Sequence, residues 1–107
     1  RVALAEDPAW AAPEHFRTEV FSVIRGLWLG RRLDETRAQH AVRTLGSMVV
    51  KMVPTQALLP RMWELGSSLS AYDAGYVAAA ELLSCTLVTA DARIERSSAA
   101  KCSIRLL

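Results

Sequence analysis

Thr86-Leu87-Val88-Thr89-Ala90-Asp91 is a short, β-branched and apolar run that stops on an acid, and its neighbours decide what fold it belongs to. Before it, Ser70 opens a helical period with Asp73 at the third helical position and Tyr76, Val77 and Ala80 continuing along one face to about Leu83. After it, Asp91 to Ala99 reads as a short helix and Ile104 to Leu107 as a further strand. Strand and helix in alternation predict an α/β domain with a mainly parallel sheet.

The alternation extends upstream. Met48 to Val53, rich in valine and methionine and stopped by Pro54, predicts another strand. A helix follows over roughly Leu58 to Leu65, with Pro60 placed in its first turn in preference to a start at Thr55. Asp34 is positioned to cap a helix whose stripe is Ala38, Ala41, Val42 and Leu45. Phe16, Val20, Val23, Ile24 and Leu27 repeat at spacings of three and four, predicting a helix that ends near Gly30. Ala9 to Pro13 suits a brief buried strand, and Arg1 to Glu6 reads as the last turns of a helix.

Composition bounds the function. The 107 residues are 51% hydrophobic and 22% charged, enough for one core and one domain over residues 1–107. No apolar run approaches the ~20 residues needed to span a bilayer, and the acidic start is unlike a signal peptide, so a soluble, cytoplasmic protein without membrane contact is expected. Cys85 and Cys102 have no metal-ligand spacing and are expected to be buried and reduced. A net charge of +2 permits a nucleic-acid partner without requiring one; basic residues gather at Arg25, Arg31 and Arg32, and at Arg93, Arg96 and Lys101. His15 and His40 have no partner at zinc-ligand spacing. No glycine-rich phosphate loop or nucleophile elbow occurs, which removes sequence support for nucleotide and serine hydrolases.

Three carboxylates stand out. Glu19 falls on or beside the apolar stripe of its helix, where an acid needs a cation, a hydrogen-bond network or a solvent-filled cleft; it is either that or a boundary residue paired with arginine. Asp73 lies in the first turn of its helix, as a site acid or a capping-box acid. Asp91 comes at the carboxyl end of a strand, the edge where open parallel sheets bind ligands, and equally suits an ordinary N-cap. Thr89 can place a hydroxyl at the same edge or satisfy local backbone. If the three acids converge, mutual repulsion calls for a hard cation such as Mg²⁺ or Mn²⁺.

Ala12-Pro13-Glu14-His15-Phe16 leading to Glu19-Val20, Leu69-Ser70-Ala71-Tyr72-Asp73-Ala74 continuing to Ala80-Glu81, and Leu87-Val88-Thr89-Ala90-Asp91 together resemble the PIN domain in its VapC toxin branch. The resemblance covers essentially the whole chain. It implies a PIN-like three-layer sandwich and an endoribonuclease of a type II toxin–antitoxin system. Glu19, Asp73 and Asp91 would match three of the family's four acidic positions, binding Mg²⁺ or Mn²⁺. Asp73 and Asp91 are then the main metal acids and Glu19 a further ligand or water-positioning base. It further implies an RNA substrate (tRNA, rRNA or mRNA), a VapB-like antitoxin and a homodimer. Arg17, Arg31, Arg32 and Arg93 are candidate RNA contacts.

Relatives of this kind begin with a central strand carrying the first acid, so the expectation is of an N-terminally incomplete domain whose native form has that strand upstream of Arg1. A chain lacking it should aggregate, exchange segments or bind metal more weakly. The competing reading is a catalytically incomplete PIN-like interaction module that binds antitoxin or a second protomer without turnover. A receiver-like phospho-acceptor pocket is disfavoured, because no lysine follows on a late strand.

Overall fold

The computed structural model describes residues 10–89 and 91–107. Its elements are β1 (Trp10–Pro13), α1 (Phe16–Leu29), α2 (Glu35–Ser47), β2 (Val50–Val53), α3 (Thr55–Leu65), α4 (Ala71–Leu82), β3 (Leu87–Thr89), α5 (Ala92–Arg96) and β4 (Ile104–Leu106). The expected α/β alternation is therefore present, and β3 and β4 are parallel as anticipated, with Leu87 opposite Ile104 and Thr89 opposite Leu106. β1 pairs with β2. The helix expected over Arg1 to Glu6, and Ala9 and Ala90 of the expected strands, lie outside the described residues.

Contacts divide the chain into two compact units, one holding Glu14–Lys51 and the other Ala11–Pro13 with Met52–Leu107. In the first, α1 and α2 form a helical hairpin. Asp34 caps α2 by accepting the Arg37 N–H at 2.8 Å, as its position predicts. The turn out of α1 is a Schellman motif: the Arg32 N–H donates to the Leu27 carbonyl and the Arg31 N–H to that of Trp28. Arg31 consequently takes a left-handed φ of 60°. The stripe predicted for α1 does not enter a core in the described structure. Val23 is 59% exposed, and Phe21 and Trp28 border an open groove of about 510 Å³ with Ile24 and Val42.

The second unit is organised by α4. Its Ala74, Val77 and Ala80 pack with Leu65, Leu87 and Ile94, while Ala78 and Ala79 pack with Val53 and Leu58. Small residues let α4 lie against both clusters, and its register is fixed by Val77, which is fully buried. α3 corrects the expectation for Pro60: the helix starts at Thr55, with Pro54 as its extended N-cap residue, and Pro60 lies inside it. Pro60 is exposed, whereas Leu58 and Leu65 are buried. An interior proline costs about 3 kcal/mol, and two buried leucines contribute roughly 1.5–3 kcal/mol each, so packing outweighs the break. The cysteines also differ from expectation. Both are free, but Cys85 is exposed and Cys102 only half-buried.

Candidate active site

Asp73 and Asp91 both belong to the second unit, one at the head of α4 and one at the head of α5. Ser70 caps α4, its Oγ accepting the Asp73 N–H at 3.2 Å. The Asp73 side chain therefore projects from the first helical turn, where uncancelled N–H groups favour an anion. It is half-buried.

Asp91 follows β3 at its carboxyl end, and its placement is locally determined. Its N–H donates to Thr89 Oγ1 at 3.0 Å, and its Oδ1 accepts the Arg93 N–H at 2.9 Å as the N-cap of α5. The Arg93 guanidinium then folds back on the same carboxylate. Nε donates to Oδ1 at 3.0 Å and to Oδ2 at 3.2 Å, and Nη2 donates to Oδ2 at 2.8 Å. These hydrogen bonds hold the Asp91 carboxyl down to about 2, from an ordinary 3.8. Arg93 is pushed up in turn by its bonds and charge attraction to Asp91, with a smaller contribution from the charge of Asp73. The basic side chain thus sits in the joint field of both acids.

Glu19 lies in the first unit, in the first turn of α1, half-buried, with its N–H on the His15 carbonyl at 2.9 Å. Among the described residues no three His, Cys, Asp or Glu side chains stand close enough together to hold a metal ion. What the structure brings together is Thr89, Asp91 and Arg93.

The arginines divide by role. Arg17 donates from Nε to the Leu45 carbonyl at 3.2 Å and from Nη2 to that of Met48 at 2.6 Å, so its guanidinium satisfies the end of α2. That is a structural use. Arg31, Arg32 and Arg93 are exposed.

The sequence profile of the PIN domain matches residues 1–99. Ribonuclease VapC9 of Mycobacterium tuberculosis is 39% identical over 95 residues, covering 89% of this chain and 75% of its own, and the VapC ribonuclease Mb0985 of Mycobacterium bovis matches to the same extent. Ribonuclease VapC12 of Mycobacterium tuberculosis is 30% identical over 96 residues, 90% of this chain and 74% of its own. The chain belongs to the PIN-domain family of VapC ribonucleases.

Set in a VapC chain, the donor chemistry around Asp91 fits a hard divalent ion. Carboxylate and hydroxyl oxygens are the ligands Mg²⁺ and Mn²⁺ take, and Asp91 already draws a cation, the guanidinium of Arg93. Sequence reasoning named Arg93 only as an RNA contact and missed its fork on Asp91. A basic residue two positions after an N-cap acid was the available signal. It also gave Glu81 no role. In the structure Glu81 accepts Arg61 Nε at 2.7 Å, Arg61 Nη2 at 3.1 Å and the Lys101 N–H at 2.7 Å, tying α4 to α3 and to the segment before β4. Arg61 also reaches the Ala99 carbonyl at 3.1 Å and Glu64 at 3.1 Å.

Proposed function

We propose that this protein is the toxin of a type II toxin–antitoxin pair, a Mg²⁺- or Mn²⁺-dependent endoribonuclease that hydrolyses RNA phosphodiester bonds. The observation that carries this reading is the placement, in one compact unit of a VapC-family chain, of Asp73 in the first turn of α4 and Asp91 at the carboxyl end of β3. Asp73 and Asp91 would hold the ion. An ion held there supplies neutralisation of phosphate charge and activation of water. The chain's own contribution is to fix the acids on rigid elements: Asp73 by the Ser70 cap and the buried face of α4, Asp91 by the Thr89 hydroxyl and the cap of α5.

RNA contacts are assigned to Arg31, Arg32 and Arg93, whose exposed guanidinium groups can take phosphate oxygens bidentately. A VapB-like antitoxin and a second protomer are the proposed protein partners, acting in the cytoplasm. The exposed apolar side chains of α1, Phe21 and Trp28 among them, support a protein-covered surface. No described helix is long and apolar enough to cross a membrane.

Incubating the native protein with structured RNA, with each ion and with EDTA, tests the reading. Cleavage should stop in EDTA and return with Mg²⁺ or Mn²⁺. Cleavage that EDTA leaves undiminished, or none with either ion, overturns it.

A further inference from the structure

Both oxygens of the Asp91 carboxylate are engaged by a single residue. The Arg93 N–H donates to Oδ1, Nη2 to Oδ2, and the one Nε hydrogen is shared between Oδ1 and Oδ2. Only the first belongs to the helix cap. The others come from a guanidinium whose side chain is 79% exposed, against 28% for Asp91. Such a side chain is held on its acid by this fork and has open solvent to swing into. A divalent ion on Asp91 needs at least one of the oxygens that the fork occupies, and its charge would repel the guanidinium.

We propose that Arg93 is an internal counter-ion for Asp91, occupying the carboxylate in the metal-free protein and competing directly with the divalent ion that binds there. This rests on the reading of Asp91 as a metal acid. The fork then sets the metal affinity of the site. It keeps the acid neutralised and ordered when metal is scarce, and it frees a phosphate-binding guanidinium beside the site only once metal has arrived. Metal loading and the availability of Arg93 to RNA become one event. An exposed pair is weak enough for this exchange, since such ion pairs are readily broken and screened.

Mn²⁺ titration of the native protein, followed by the loss of the free-ion paramagnetic resonance signal, tests the competition without recourse to activity. Arg93→Gln should bind Mn²⁺ more tightly by up to roughly fivefold, as expected when a weak competing pair is removed. Arg93→Lys keeps the charge and loses the planar fork, so it should also tighten binding, though less. In the unsubstituted protein the Arg93 Nε–H resonance, assigned by its absence from Arg93→Gln, should shift and exchange faster with solvent when Mg²⁺ is added. Tightening in Arg93→Gln with none in Arg93→Lys, together with an unmoved Nε–H resonance, would mean a through-space charge effect and overturn the proposal. So would affinity unchanged in both variants, provided Asp91→Asn weakens Mn²⁺ binding. If Asp91→Asn leaves Mn²⁺ binding unaltered, the metal-acid reading falls and the counter-ion proposal with it.

Discussion

Replacing Glu81 by alanine removes three hydrogen bonds at once, two of them from the Arg61 guanidinium and one from the Lys101 N–H. The pair is largely withdrawn from solvent, with side-chain exposures of 24% for Arg61 and 15% for Glu81. An exposed ion pair is worth about 0.2–1 kcal/mol, whereas stranding one partner of a fully buried pair costs about 3–5 kcal/mol. With this partial burial, and with Arg61 keeping Glu64 and the Ala99 carbonyl as partners, the loss should be about 2–3 kcal/mol. For a domain of this size that corresponds to a fall in Tm of roughly 10–20 °C. Thermal unfolding of Glu81→Ala, Arg61→Met and the double variant measures it. The two single changes should be strongly non-additive, because each removes the same fork. A loss below about 0.5 kcal/mol, or simple additivity, would show that the strut is as weak as a surface pair and that α3, α4 and the segment before β4 are held by apolar packing alone.

The same strut gives a pH dependence. Arg61, joined by the Lys101 N–H, holds Glu81 below its ordinary 4.5, so its stabilisation is complete above that value and is lost as pH falls below it. Acid unfolding of Glu81→Gln should lack that component. Ser84 takes a left-handed φ of 53° in the Schellman turn that ends α4, its N–H on the Glu81 carbonyl and that of Cys85 on Ala80. Ser84→Gly should therefore raise stability by roughly 0.5–1 kcal/mol in a denaturant titration. Asp73→Asn and Asp91→Asn in the native protein should each lower RNA cleavage on the order of 10²-fold or more. Without metal their unfolding should differ: Asp73→Asn holds or gains stability as repulsion between acids is relieved, whereas Asp91→Asn gains nothing, because Arg93 already neutralises that charge.

Much of this fold is legible because its signals are local. Ser70 and Asp73 are three residues apart, and an N-cap needs only that spacing and the apolar run behind it. Asp34 and Asp91 announce themselves in the same way, and the β-branched run of β3 needs no partner to be recognised. Reading failed where a side chain's partner is distant in sequence or is a carbonyl. Arg17 resembles any surface arginine until it meets the carbonyls of Leu45 and Met48, 28 and 31 residues away. Arg61 and Glu81, 20 residues apart, each look like ordinary solvated charges. Pro60 misled for the opposite reason, since a strong local rule gave way to Leu58 and Leu65 packing on the far side of the helix.

Glu81 and Asp91 show what separates a structural acid from a candidate site acid when composition cannot. Each is an ionised carboxylate gripped by an arginine fork, and each is held below its ordinary range by that fork before any other cause. The difference lies in the arginine. Arg61 is 24% exposed, bonded at once to Glu81, Glu64 and the Ala99 carbonyl, and could leave Glu81 only by abandoning all of them. Arg93 is 79% exposed and its fork serves one carboxylate. Removing the first arginine from its acid strands a partly buried charge, whereas removing the second returns a guanidinium to water at little cost. An acid whose counter-ion can leave is available to another cation, and one whose counter-ion is fixed is not. On that physical ground Asp91 is the metal candidate and Glu81, eight residues along the same helix from Asp73, is not.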